Sequence, residues 1–94
     1  MAMRLDDYLE NDIKVYVEVN ADFSVDGVIS PRSFVWEDGT RYEVDRVITS
    51  CPAASLKAGG VGMRYTVRVQ SRETFMFLED DNGISRWFME RRGS

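Results

Sequence analysis

The sequence predicts an all-β domain. Apolar and polar residues alternate along most of the chain, helical spacing is nearly absent, and Asn82-Gly83 provides a strong hairpin signal. We therefore expect about five or six mostly antiparallel strands that form a small barrel or a strongly curled sheet. This order of elements is similar to that of an oligonucleotide-binding (OB) barrel, with an SH3-like barrel as the alternative.

The first half of the chain contains a long strand and a hairpin. Apolar residues occupy the odd positions from Ile13 to Val25, with a bend expected near residues 20–22, and Pro31 restricts the next segment to an edge or a loop. A three-residue turn that ends on a left-handed Gly39 would place Phe34 on the face of Tyr42. A two-residue turn would instead set Phe34 opposite a glutamate, so we predict the three-residue turn.

The middle of the chain predicts an irregular strand and a helical turn. The strand from Arg41 to Thr49 contains adjacent apolar residues, which indicates a bulge near Asp45-Arg46. Pro52 suits a first helical position and Gly59 suits a helical stop, so we expect a short helical turn over residues 52–58, between the third and fourth strands.

The last hairpin has apolar residues on both faces. After a predicted turn at residues 71–73, the Asn82-Gly83 turn sets Phe77 opposite Phe88 and Leu78 opposite Trp87. We expect the core to use the face that continues Tyr65, Val67 and Val69, namely Phe75, Phe77 and Phe88. The opposite face would then carry Met76, Leu78, Trp87 and Met89 beside Arg64 and Arg68.

That second predicted face requires a cover or a partner, because large exposed apolar patches usually mark interaction sites. Residues 1–11 are the candidate cover. Leu5, Tyr8 and Leu9 have helical spacing, and the acidic residues among them complement the arginines. We therefore divide the chain into this N-terminal segment, one β domain over residues 12–90 and a frayed tail over residues 91–94.

Composition excludes several classes of function. The chain has 94 residues, a net charge of −4, one cysteine and no histidine. Without histidine, the common nucleophile pairs and most zinc sites are absent, so we expect no enzyme, no metal and no other cofactor. We read Cys51 as a partly buried residue. The absence of a long apolar run or a signal-peptide pattern predicts a cytoplasmic protein without membrane contact.

The glycine-rich and acidic segments do not fit known ligand loops. In a P-loop the lysine follows the glycines and a helix begins there, whereas here Lys57 precedes Gly59 and a strand follows. The acidic run before Gly83 has Leu78 at the first position of a calcium loop and Met89 where the bidentate glutamate belongs. Both segments are therefore predicted to be turns.

Several motifs together resemble a family of small uncharacterised bacterial proteins. They are Phe34-Val35-Trp36 with Gly39 and Tyr42, "PAASLKAGG" from Pro52, "RYTVRV" from Arg64, and Trp87-Phe88. The resemblance implies no activity, cofactor or catalytic residue. It adds a family of unknown function to the prediction from the residues.

We predict a non-enzymatic interaction module that binds a protein partner or a second copy of itself through a mixed apolar and basic face. The alternative is a module that binds nucleic acid or another anionic ligand through the arginines and Trp87 of that face. The candidate binding residues are Lys57, Arg64, Arg68, Met76, Leu78, Trp87 and Met89.

Overall fold

The computed structural model describes residues 14–53, 61–81 and 83–91, and these residues form a single seven-stranded antiparallel sheet. None of the described residues is helical. The strands are β1 (Lys14–Phe23), β2 (Ile29–Val35), β3 (Arg41–Glu43), β4 (Arg46–Pro52), β5 (Val61–Val69), β6 (Arg72–Asp81) and β7 (Ile84–Glu90).

The order of the strands explains the strong curl of the sheet. The order is β3-β2-β1-β7-β6-β5-β4, so β3 and β4 lie at opposite edges although only Val44 and Asp45 separate them in sequence. The sheet must therefore bend until its edges meet. Val44 N–H donates to the Arg32 carbonyl at 2.8 Å on one side, and Asp45 N–H donates to the Arg68 carbonyl at 2.8 Å on the other.

The all-β, barrel-like architecture is confirmed, but the expected number of strands is wrong. The sheet has seven strands because the segment from Arg41 to Thr49 is two strands rather than one. The division falls at Val44-Asp45, next to the predicted irregularity, where the chain passes from one edge to the other. A second irregularity within β4 shifts the register between Val47 and Thr49.

The β1–β2 hairpin contains the predicted bend and an unexpected position for proline. The register shifts between Asn20 and Ala21, which confirms the bend in β1. Pro31 lies inside β2 opposite Ala21 and is fully buried. β3 pairs with Ser33–Val35 and does not reach Pro31. Among the described strands, only β1 is therefore paired with β2 at Pro31, which makes this an edge position on its other side, where proline is tolerated.

The β2–β3 turn has the predicted geometry. Phe34 lies opposite Tyr42, Trp36 N–H donates to the Thr40 carbonyl at 2.8 Å, and Gly39 has a φ of 89°. Only glycine adopts this left-handed conformation without steric cost. The carboxylate of Asp38 accepts the Thr40 N–H at 2.9 Å, and this hydrogen bond lowers the pKa of Asp38.

The β6–β7 hairpin confirms the predicted pairs. Phe77 lies opposite Phe88, Leu78 opposite Trp87, and Gly83 has a φ of 80°. This agreement follows from the local chemistry of the turn, because a two-residue loop with glycine at its second position determines the register on both sides.

The assignment of the two faces is wrong, because the β5–β6 turn differs from the predicted one. The turn consists of Gln70-Ser71, with Val69 opposite Arg72, instead of residues 71–73. This register sets Tyr65 opposite Met76. A shift of an odd number of residues transfers every side chain of a strand to the opposite face.

The core therefore uses the face that was expected to bind a partner. Val67 and Met76 have no exposed surface, and the ring centroids of Tyr65 and Trp87 are 5.3 Å apart. Burial raises the pKa of Tyr65. The buried cluster consists of Phe34, Tyr65, Val67, Val69, Met76 and Met89, with Val17, Val19, Trp36, Tyr42, Val44, Val47, Met63, Leu78 and Trp87 packed against it.

Other predictions on the middle and the ends of the chain have mixed outcomes. Pro52 pairs with Met63 in β4, so it does not begin a helix. Ala53 is not helical either, and its N–H donates to the Gly62 carbonyl at 2.9 Å. Residues 54–58 of the predicted helical turn, the N-terminal segment and residues 92–94 lie outside the described residues. Arg91 of the predicted tail forms an ion pair with Glu37 at 2.9 Å.

The β5–β6 turn gives a stability prediction. Gln70 and Ser71 have φ values of 51° and 66°, a left-handed conformation that is unfavourable for residues other than glycine by about 1–2 kcal/mol. We expect Ser71→Gly to raise the free energy of unfolding by about 1 kcal/mol, because glycine adopts this conformation readily. Urea unfolding followed by tryptophan fluorescence measures the change, and Ser50→Gly, at an exposed strand position, should instead destabilise. An unchanged midpoint in Ser71→Gly would contradict the expected strain.

Candidate binding site on the outer face

The structure separates the predicted site residues. Met76, Leu78, Trp87 and Met89 belong to the core or pack against it. Arg64 pairs with Phe77 and Arg68 with Glu73, which places both arginines on the opposite side of the sheet, here called the outer face. Lys57 lies outside the described residues. The mixed apolar and basic face of the sequence prediction is therefore not formed.

The outer face carries a continuous series of aromatic rings, here called the aromatic row, which consists of Phe75, Phe77, Phe88 and Tyr16. The centroids of Phe75 and Phe77 are 6.4 Å apart, and Phe77 stacks on Phe88 at 4.8 Å with an interplanar angle of 8°. Tyr16 meets Phe88 edge to face at 5.9 Å. The row crosses β6, β7 and β1 because Phe77 pairs with Phe88 and Phe88 pairs with Tyr16.

Cationic side chains lie over the aromatic row. The Arg64 guanidinium is 4.9 Å from the centroid of Phe75, and the Arg86 guanidinium is 4.3 Å from that of Tyr16. Between them, the Lys14 ammonium is 4.4 Å from the centroid of Phe88. Each distance lies within the roughly 6 Å at which a cation is attracted by an aromatic face.

A buried carboxylate holds one end of this arrangement in place. The side chain of Glu79 is 11% exposed and accepts a hydrogen bond from Arg86 at 2.9 Å. It also accepts the hydroxyl of Tyr16 at 3.2 Å, and the Lys14 ammonium is 3.7 Å away. Buried charges require such partners. Glu79 thus fixes the positions of Tyr16, Lys14 and Arg86 relative to one another.

The two ends of the aromatic row are more accessible than its centre, where Phe77 is half-buried and Phe88 is buried. Phe75 is 41% exposed and Tyr16 is 46% exposed, while Phe88 is only 3% exposed. The centre of the row is therefore mainly part of the framework of the fold, and the two end rings are the parts of the row that are most exposed to a ligand.

The remaining outer-face groups next to Arg64 are polar. The guanidinium of Arg64 donates to the sulfur of Cys51 at 3.6 Å, and Cys51 is partly buried, as predicted. Arg68 and Glu73 form an exposed ion pair at 3.5 Å. Arg64 forms no ion pair with any described residue, so its charge is not neutralised by a carboxylate within residues 14–53, 61–81 or 83–91.

Sequence reasoning missed this arrangement because it assigned Phe75, Phe77 and Phe88 to the core. The signal that determines the faces is the β5–β6 turn, and Gln70-Ser71 is a poor sequence for a turn with positive φ at both positions. The pairs of the β2–β3 and β6–β7 hairpins were predicted correctly, but the register between β5 and β6 was not.

No family model, curated protein or solved structure matches this chain. The resemblance to uncharacterised bacterial proteins stays a prediction. Within the part of the chain that the structure describes, no helix is long and apolar enough to cross a membrane, and no group of three or more acidic or cysteine side chains is placed to hold a metal ion.

Proposed function

We propose that this protein is a non-enzymatic module that binds single-stranded nucleic acid on its outer face. The observation that carries the proposal is the combination of exposed rings at both ends of the aromatic row with guanidinium groups stacked on those same rings. Phe75 lies under Arg64, and Tyr16 lies under Arg86. Proteins that hold single strands without strong sequence preference combine aromatic stacking platforms with cations that contact the phosphates.

The charges of the outer face favour a nucleic-acid strand that is held by local contacts rather than by long-range attraction. The whole chain has a net charge of −4, which disfavours attraction of a polyanion over long distances. Arg64, Arg86 and Lys14 nevertheless lie over the aromatic row. Among the carboxylates of the same face, Glu79 contacts Lys14 and Arg86, Glu73 forms an ion pair with Arg68, and Glu90 lies opposite Lys14. A single strand suits this arrangement better than a duplex, because its bases are free to stack on exposed rings.

The other hypothesis from the sequence, a protein partner on a mixed apolar and basic face, has lost part of its support. The arginines and the apolar residues that it combined lie on opposite sides of the sheet. A partner that contacts Arg64 would meet Phe75, Phe77 and Cys51 instead of Met76 and Trp87.

The test is fluorescence anisotropy with labelled oligothymidylate of about 12 nucleotides, titrated with the full chain. We expect saturable binding at low salt that weakens as salt rises, with a log–log slope of about −2 for about three phosphate contacts. Phe75→Ala should weaken binding about tenfold or more, because it removes a stacking platform. Arg64→Gln should weaken it and reduce the slope by about 0.7.

Matched controls are available elsewhere on the sheet. Phe23 is 73% exposed at the tip of the β1–β2 hairpin, so Phe23→Ala removes an exposed ring that lies off the aromatic row. Arg41→Gln removes an exposed guanidinium of β3. Both variants should bind as the unchanged protein does. Absence of binding at low salt, or equal losses in Phe23→Ala and Phe75→Ala, would contradict the proposal.

A further inference from the structure

A pocket opens at one end of the curled sheet, on the side of the core and away from the aromatic row. Its volume is about 780 Å³, within the range of about 300–1,000 Å³ that is typical of small-molecule sites. Phe34 and Met89 form its buried floor, and Trp36 and Tyr42 are half-buried walls. We call it the mouth pocket. Phe34 and Tyr42 stack with centroids 5.4 Å apart and an interplanar angle of 26°.

The register of β6 directs a cation toward this pocket. Arg72 pairs with Val69, a buried residue of the core, so both lie on the inner face of the sheet. Arg72 also lines the pocket, and it forms no ion pair with any residue that the structure describes. The pocket therefore presents a guanidinium whose charge is available to a ligand.

The acidic residues at the rim do not compete strongly with an anion. Glu37 forms hydrogen bonds with the Arg91 guanidinium at 2.9 Å through each carboxylate oxygen. These bonds lower the pKa of Glu37, which keeps it ionised as the partner of Arg91. Glu73 and Glu90 also border the pocket. Glu73 pairs with Arg68 and Glu90 with Lys14, so strand alternation directs both side chains to the outer face.

We propose that the mouth pocket binds a small planar aromatic anion. A flat ring fits against Trp36 and Tyr42, and a carboxylate or sulfonate on that ring meets the guanidinium of Arg72 in a charge-assisted hydrogen bond. Ligand sites usually combine apolar walls with a few polar groups that fix the orientation of the ligand. Here the apolar walls occur together with Arg72, which has no ion-pair partner among the described residues. This site is on the other side of the sheet from the aromatic row, so the inference is independent of nucleic-acid binding.

The conformation of the adjacent turn agrees with this role. Gln70 lines the pocket and has a φ of 51°, and the next residue, Ser71, has a φ of 66°. Gln70 N–H donates to the carboxylate of Asp45 at 3.1 Å, which holds the turn against the β3–β4 connection. Unfavourable backbone conformations that the surrounding structure maintains are frequent at ligand sites.

The experiment is a titration of the full chain with 2-naphthoate, followed by NMR of the tryptophan indole N–H and methionine methyl groups. We expect saturable shifts that are largest at Trp36 and Met89, which line the pocket, and smaller at Trp87, which does not. Oligothymidylate should neither produce these shifts nor displace 2-naphthoate, which separates this site from the outer face. Shifts centred on the outer face, or no saturable shifts, would overturn the proposal.

Variants of Arg72 test the preference for an anion. Arg72→Gln should weaken 2-naphthoate about tenfold, while leaving the neutral 2-naphthamide unaffected, because only the charge-assisted bond is lost. Arg72→Lys should retain part of the preference for 2-naphthoate over 2-naphthamide. Arg46→Gln, a change at another exposed arginine outside the pocket, is the matched control and should bind normally. Equal affinity of Arg72→Gln and the unchanged chain for 2-naphthoate would refute the role of Arg72.

Discussion

Met76→Ala is expected to lower the free energy of unfolding by about 2–5 kcal/mol, the usual range for truncating a large buried apolar side chain. Met76 has no exposed surface and lies opposite Tyr65 in the core. The substitution leaves a cavity between β5 and β6 that the neighbouring side chains fill only partly. Urea unfolding monitored by tryptophan fluorescence measures the loss as a lower midpoint.

Phe75, the residue next to Met76 in β6, provides the matched control for Met76→Ala. Phe75 is 41% exposed on the outer face, where its ring contacts Arg64 and Phe77. We therefore expect Phe75→Ala to lower the free energy of unfolding by only about 1 kcal/mol. Phenylalanine is larger than methionine, and truncating a fully buried phenylalanine to alanine costs about 3–5 kcal/mol. If Phe75→Ala proved more destabilising than Met76→Ala, β6 would have the opposite face in the core and the β5–β6 register would be wrong.

Glu79→Gln is expected to cost about 2–3 kcal/mol, because it leaves a nearly buried cation without its counter-charge. The side chains of Lys14 and Glu79 are 16% and 11% exposed, and their charged atoms are 3.7 Å apart. Breaking a fully buried ion pair costs roughly 3–5 kcal/mol. We expect a smaller loss of stability here because Arg86, the other cationic partner of Glu79, is half exposed. Thermal and urea unfolding at neutral pH measure the change.

Two further variants test whether the effect of Glu79→Gln comes from its buried position or from the loss of any carboxylate. Glu73→Gln removes the carboxylate of an exposed pair with Arg68 and should change stability by about 0.5 kcal/mol or less. Lys14→Met combined with Glu79→Gln should recover part of the loss, since it also removes the unpaired cation. Equal effects of Glu79→Gln and Glu73→Gln would show that Glu79 is not the buried anchor of the outer face.

The β2–β3 and β6–β7 hairpins could be predicted from the sequence because their geometry is determined by residues near one another in the chain. Gly39 and Gly83 adopt left-handed conformations that few other residues favour, and each determines the pairing of the strands beside it. The pairs Phe34 with Tyr42 and Phe77 with Phe88 follow directly. The alternation of β1 and its bend near Asn20 are likewise local features.

The candidate site could be predicted only in part from the sequence. The sequence correctly placed Arg64 and Arg68 on the side of their strand opposite Tyr65 and Val67, since these residues alternate. It wrongly combined the arginines with Met76, Leu78, Trp87 and Met89, which lie on the side of the core. The aromatic row and the mouth pocket each combine side chains from hairpins that are distant in sequence. Their assembly depends on contacts such as Tyr16 with Phe88, which no local pattern specifies.

The sequence by itself determined an all-β chain, the pairs within its glycine hairpins and the alternation of β1 and β5, because these follow from local backbone preferences. Only the tertiary structure decided which apolar side of the last hairpin is buried. Both sides are apolar enough to form a core, so hydrophobic pattern did not distinguish them, and the choice depends on the Gln70-Ser71 turn. The meeting of the sheet edges at Val44-Asp45 was also a tertiary outcome, since it joins strands at opposite ends of the sheet.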